Sequence, residues 1–298
     1  MDQSIGAGHV TARNIMCAFP AEAMIRKLRL LLVHARWALS IFTLVLAPTY
    51  AQASDDTGMS LAAKLSILVE TYPEALKSVT ANHVITAQRT RLLVDDRLAK
   101  THQEKLDSAD IEDSLSQLYA TGCPHRLPEK NEDPGRIRSQ PLLDALYGIS
   151  RKTIERTLVP VRWFGTTVKM TRLHGAAAAL RRVRQRLEQD VRAREWLTPP
   201  AGTYNGRNIA GTERRSMHSY AAAIDVRITK GRYWRWDRKT GRQRFAPDSF
   251  PASIVSAFES EGFIWGGRWF HYDSMHFEFR PELVEIGARV TQGGKRCK

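Results

Sequence analysis

The sequence predicts an α+β fold: a small antiparallel sheet, helices packed behind it, and a helical, loop-rich lead-in at the N-terminal side. Three observations predict it. Residues 223–228 and 275–279 alternate apolar and polar side chains with the period of a half-buried strand. The stretches around them place apolar residues at helical spacing. The chain has 298 residues, 43% hydrophobic and 26% charged, which excludes a disordered tail and a polytopic membrane protein. That length fits one core-bearing domain with a smaller appendage better than three domains.

The elements follow in order. Arg26, Lys27, Arg29 and Arg36 precede eleven uncharged residues, Trp37 to Ala47, and then Pro48 and a small-residue run ending Ala51-Gln52-Ala53. Positive region, apolar run and A-x-A ending are the pattern of a secretory signal, so residues 1–53 read as signal peptide and leader, cleaved after Ala53. The apolar run is too short to span a bilayer comfortably, and a retained N-terminal anchor is the alternative. Export would put the remaining chain in the periplasm or outside the cell, with no stable membrane span once the leader is removed. Cys123 and Cys297 would then sit in an oxidising compartment, either paired as a disulfide or as two free thiols.

Residues 54–154 form the lead-in. Ile111, Leu115, Leu118 and Tyr119 follow the acidic start Asp110 at helical spacing. Asp133-Pro134-Gly135 is a turn, and Pro141–Tyr147, closed by Gly148, a short helix. Residues 155–298 form the second part, ending in a short basic tail. Val159–Phe164 and Thr166–Thr171 are strands separated by Gly165. A long helix is expected from about Leu173 to Trp196, ended by Pro199-Pro200; seven arginines against three acids lie from Arg172 to Glu195, the arginines mostly off its apolar stripe. Residues 227–244 hold eight Lys/Arg against Asp237 alone and read as a basic hairpin, in which Tyr233-Trp234-Arg235-Trp236 could stack on a ligand or pack on the domain edge. Pro251–Glu259 reads as a helix followed by Gly262.

His218 lies seven residues before Asp225, and Asp273 lies three before His276. Zinc takes imidazole nitrogen and carboxylate oxygen, and a catalytic site keeps three protein ligands with one position open to water. His218, Asp225 and His276 could supply that set if their strands are neighbours, with Asp273 beside the water as general base. His34, His83, His102, His125 and His174 lack a comparably spaced carboxylate on a strand pattern. Glu278 shares a strand face with His276 and reads as an ion-pair partner for an arginine. His271 and Tyr272 are either supporting partners of the base or exposed loop.

Ser216-x-His218-x₆-Asp225 followed by Asp273-x-x-His276 resembles the zinc peptidases that cut bacterial cell-wall peptides. That family includes the D-alanyl-D-alanine carboxypeptidases and dipeptidases of vancomycin resistance and the L-alanyl-D-glutamate endopeptidases. Its pattern is S-x-H-x-x-G-x-A-x-D, then a carboxylate three residues before a final His. Tyr204–Thr212 and Gly262–Trp269 also look like family segments, and the resemblance covers roughly 155–284. It implies a hedgehog/D-Ala-peptidase-like fold, bound Zn²⁺, and peptidoglycan stem peptides as substrate. It implies that Arg207 steadies substrate or the developing oxyanion. Ser216 is either a substrate-binding hydroxyl or a turn residue. Two positions depart from the pattern. The family's glycine is Ala221 here, and the base is Asp273 where carboxypeptidases and dipeptidases generally carry Glu, which tilts the expectation toward an L-Ala-D-Glu endopeptidase over a D,D-carboxypeptidase.

The net charge of +14 fits an anionic substrate. A catalytically silent cell-wall-binding module would share the zinc fold. A nucleic-acid binder is favoured only by basicity and the aromatic-basic stretch, and the export signal argues against it.

Overall fold

The computed structural model describes residues 58–209 and 211–297. The signal peptide, leader and cleavage position expected in residues 1–53 lie outside the described residues. Among the described residues, no helix is long and apolar enough to cross a membrane.

The lead-in opens on α1 (Leu61–Thr71), whose first turn is capped by the Ser60 hydroxyl accepting from the Ala63 N–H. A three-stranded antiparallel sheet follows: β1 (Leu76–Thr80), β2 (His83–Thr86) and β3 (Arg91–Leu93). The lead-in is therefore not only helical. The short helices α2 (His102–Asp107) and α3 (Ile111–Ser114) each start with a capping box, Thr101 with Glu104 and Asp110 with Asp113. The Ile111 stripe gives one helical turn rather than a longer helix, because the chain leaves helical geometry at Leu115. After the Asp133-Pro134-Gly135 turn comes α4 (Gln140–Tyr147), with Pro141 in its first turn and Gly148 at positive φ after its last. The helix α5 (Arg151–Glu155) leads into a two-stranded hairpin, β4 (Leu158–Trp163) and β5 (Thr166–Thr171), paired from Leu158↔Thr171 to Trp163↔Thr166.

The single long helix expected from Leu173 to Trp196 is two helices, α6 (Ala176–Arg186) and α7 (Val191–Leu197), entered through a 3-10 turn at Leu173–Gly175. His174 and Gly175 hold left-handed backbone before α6. Leu187 ends α6, and Asp190 starts α7 afresh by accepting from the Ala193 N–H, a cap that competes with helix continuation. The expected basic hairpin is likewise corrected. Its centre is α8 (Trp234–Thr240), terminated by Gly241 at positive φ.

The functional sheet has the order β6 (Ala223–Asp225), β8 (His276–Phe279), β7 (Phe263–Trp265), antiparallel throughout. α9 (Ala252–Glu259) precedes β7 and α10 (Pro281–Thr291) follows β8. The sheet separates two cores. Ile224, Phe263, Trp265 and Phe277 join the hairpin, α6, α7 and α9 on one side, where the Phe258 and Phe277 rings stack at 3.9 Å. Ile264, Ala223 and Tyr220 join α1, α4 and α10 on the other. Tyr119 and Tyr72 bolt the lead-in to this half of the chain, their hydroxyls donating to Glu259 at 2.6 Å and Glu282 at 2.5 Å. Cys123 and Cys297 are joined as a disulfide with Cα atoms 5.5 Å apart.

Candidate metal centre and base

β6 and β8 are direct neighbours, and their register puts Asp225 opposite His276. His218 enters from a 3-10 turn, Met217–Tyr220, that runs into β6. This turn is closed by Ala221 with its carbonyl-directed N–H on His218 and a φ of 55°. The position of the family's glycine is thus a left-handed one, and alanine occupies it under strain.

Three donor atoms meet. His218 Nε2 lies 3.1 Å from Asp225 Oδ1 and 3.1 Å from His276 Nδ1, and His276 Nδ1 lies 3.0 Å from Asp225 Oδ1. Zinc bonded at 2.0–2.1 Å in tetrahedral geometry spaces its ligands about 3.3 Å apart. The other ring nitrogens determine the tautomers. His218 Nδ1 faces the Thr203 carbonyl at 2.8 Å, which can only accept, so Nδ1 carries the proton and Nε2 a lone pair. His276 Nε2 faces the Glu278 carboxylate at 2.9 Å and donates to it, leaving a lone pair on Nδ1. Two lone pairs and a carboxylate oxygen aimed at one point repel unless a cation lies among them. Both histidines are buried, 6% and 7% exposed.

The field agrees with the geometry. Burial alone would lower His276, but with no ion among the donor atoms the Asp225 and Glu278 carboxylates beside its two ring nitrogens push it up to about 10, so the pocket favours positive charge there, carried by a proton or by a metal ion. Burial opposes the ionised form of Asp225 and Glu278 too. The His218 and His276 rings hold Asp225 well below the usual carboxylate range, and the Arg138 charge does the same for Glu278. Glu278 is an ion-pair partner, as its position suggested, to both Arg138 and Arg280, and it also orients a zinc ligand.

Asp273 sits on the loop entering β8. Its Oδ1 is shut off from solvent and has no hydrogen-bond partner, which leaves it free to take a proton. Burial, then the negative charge of Asp225, raises its pKa. The loop is held by backbone: the Asp273 N–H donates to Gly266 at 3.0 Å and the Trp265 indole donates to Ser274 at 3.0 Å. A Cβ on Gly266 would come within 2.6 Å of the Asp273 carbonyl oxygen, so this close approach requires glycine.

The lead-in also grips this loop. Asp133, fully buried, accepts from the His271 backbone N–H at 2.8 Å and from its ring at 2.6 Å, while His102 Nε2 approaches at 3.0 Å. These three side chains could also gather round an ion. The 2.6 Å contact is, however, the separation of a hydrogen bond rather than of two ligands on zinc. His271 therefore anchors the loop that carries Asp273. Tyr272 points elsewhere, its hydroxyl donating to Asp237 at 2.7 Å. The aromatic-basic segment borders the same loop, since Tyr233 bridges Asp273 and the Trp234 ring lies 4.7 Å from His271.

Ser216 and Arg207 are brought together by a backbone hydrogen bond from Ser216 N–H to the Arg207 carbonyl at 3.4 Å. The Ser216 hydroxyl accepts from the His218 N–H at 3.3 Å and so caps the turn that presents the ligand. Arg207 is exposed and lines a cavity of about 290 Å³ with Tyr204, Arg215 and Ser219. Thr203, Asp133, His102 and Arg138 were not singled out from sequence. Thr203 acts through its carbonyl, which carries no residue-type signal, and the other three come from segments far from the motif.

A convergent His₂Asp set beside a buried free carboxylate defines the class: a zinc-dependent hydrolase. The comparison with known families agrees. Residues 210–279 match the family model described as D-alanyl-D-alanine carboxypeptidase, so the C-terminal region is similar to the zinc-dependent D-Ala-D-Ala-type peptidases. No curated protein and no solved structure matches the chain.

Proposed function

We propose that the protein is an exported zinc peptidase that hydrolyses peptide bonds in peptidoglycan stem peptides, with D-alanyl-D-alanine carboxypeptidase activity as the leading reading. The observation that carries it is the donor triangle of His218, Asp225 and His276 inside the region that matches that family model. His218, Asp225 and His276 would hold the ion, which would supply Lewis-acid polarisation of a carbonyl and a water nucleophile near neutral pH. Asp273 takes the proton of the attacking water and returns one to the leaving amine. Thr203 and Glu278 hold the two imidazoles in the ligating tautomers, and His271 with Asp133 holds the base loop. Arg207 steadies the substrate or the developing oxyanion, and Ser216 presents His218 through the turn it caps and binds a substrate group with its hydroxyl. Residues 155–298 carry the chemistry on this reading, and residues 54–154 brace it. The leader in residues 1–53 takes the chain to the periplasm or beyond.

A second reading, L-Ala-D-Glu endopeptidase, is favoured by one residue, the aspartate rather than glutamate at the base position. Mass spectrometry of purified muropeptides after digestion separates the two. Loss of a terminal D-alanine supports the first, scission after L-alanine supports the second, and intact muropeptides with zinc-loaded protein overturn both.

A further inference from the structure

A cavity of about 260 Å³ is lined by four arginines, Arg136, Arg138, Arg214 and Arg215, against one carboxylate, Asp107, together with Gln140 and Tyr220. Arg138 and Arg215 are committed to Glu278 and Asp144. The other two are poorly compensated. Arg136, 11% exposed, has Asp133 4.0 Å away, and that carboxylate already holds two histidines. Arg214, 16% exposed, donates through Nη1 to the Leu106 carbonyl at 3.2 Å. Its Nε is buried without a hydrogen-bond partner, Asp107 lying 3.4 Å away but out of line. Burial lowers the pKa of both, and neighbouring guanidiniums lower it further: Arg138 and Arg235 act on Arg136, and Arg136 and Arg138 on Arg214. Crowding cations in a shielded cavity costs folding energy unless an anion enters.

The cavity is linked to the metal centre through intervening side chains. Arg138 bonds Glu278, which accepts from the ligand His276, and Tyr220 belongs to the turn that presents His218. Arg136 lies over the Trp234 ring, which touches His271 on the base loop. Guanidinium forks match carboxylates in a planar two-bond geometry. At about 30 Å³ per water molecule, the cavity holds a carboxylate with a short side chain.

We propose that Arg136 and Arg214 form a specificity subsite that binds a free carboxylate of the substrate, so that the lead-in and the catalytic part jointly select the peptide. This rests on the stem-peptide reading, since those peptides carry free carboxylates. The test uses the zinc-loaded full chain, its Arg214→Met and Arg136→Met variants, and matched stem peptides with each carboxylate in turn free or amidated. For one position, wild type is expected to prefer the free acid at least tenfold in kcat/KM. Each variant is expected to lose that preference through KM, with kcat and zinc content kept within about twofold. Equal losses on acid and amide, or none on either, overturn the subsite. Should wild type cleave no stem peptide, the stem-peptide reading fails separately. The subsite is then judged by titrating N-acetyl-D-alanine and its amide into wild type and Arg214→Met by calorimetry. Tighter binding of the acid, lost in the variant, upholds a carboxylate subsite, and identical binding to both proteins overturns it.

Discussion

Asp273 and Ala221 show how much single side chains decide here. Asp273 offers a buried carboxylate oxygen with no hydrogen-bond partner. General-base catalysis of this kind is worth about 10²–10⁴ in rate. Asp273→Asn should therefore lower kcat by that range while zinc content by elemental analysis stays unchanged; near-wild-type turnover would remove Asp273 from the mechanism. Ala221 instead carries strain. Left-handed backbone costs a non-glycine residue about 1–2 kcal/mol, partly offset by the greater freedom glycine has when unfolded. Ala221→Gly should raise stability by about 0.5–1 kcal/mol, read as a higher urea midpoint at unchanged slope. Glu278→Gln keeps the shape but loses the charge that orients His276, and should weaken zinc binding about 10–100-fold in chelator competition.

At the scale of elements, the two site strands were legible because each is a short alternating run with its ligand on the polar side. The β4–β5 hairpin and the helices α4 and α9 were legible for similar reasons: apolar period, proline near the start, glycine after the end. The first sheet was not, since β1 to β3 are three to five residues long and β1 buries only Leu76. The long arginine-rich stripe continued smoothly across Leu187, while the break comes from one local cap at Asp190. The clamp on the base loop was invisible for another reason: Asp133 lies 138 residues from His271 and sits in an ordinary turn sequence. Burial would raise the Asp133 pKa, but the His102 and His271 rings and the Arg136 charge hold it well below the usual range. A depressed folded-state pKa means the unfolded chain binds the proton first, so this stability is present above about pH 4 and is lost as pH falls below it. Asp133→Asn should flatten that acid limb of the denaturation profile; an unchanged limb would show that the carboxylate is not ionised in the fold.

For the whole molecule, the family match covers residues 210–279, yet the centre it identifies draws on Thr203, Arg138, Asp133 and His102 from outside that span. The ligand set could be read from the motif, and its support could not, because the support arises from packing between distant segments. Glu278 concentrates this dependence, touching a zinc ligand on one side and a lead-in arginine on the other. Such a shared carboxylate makes ion binding and docking of the Arg138 segment reciprocal: whatever factor docking adds to zinc affinity, zinc must add to docking. Stripping the ion with a chelator should then speed amide exchange in residues 136–140 more than in α6, whereas uniform or absent change would mean the two are independent. The lead-in would thus grip the centre more tightly with the ion bound than without it.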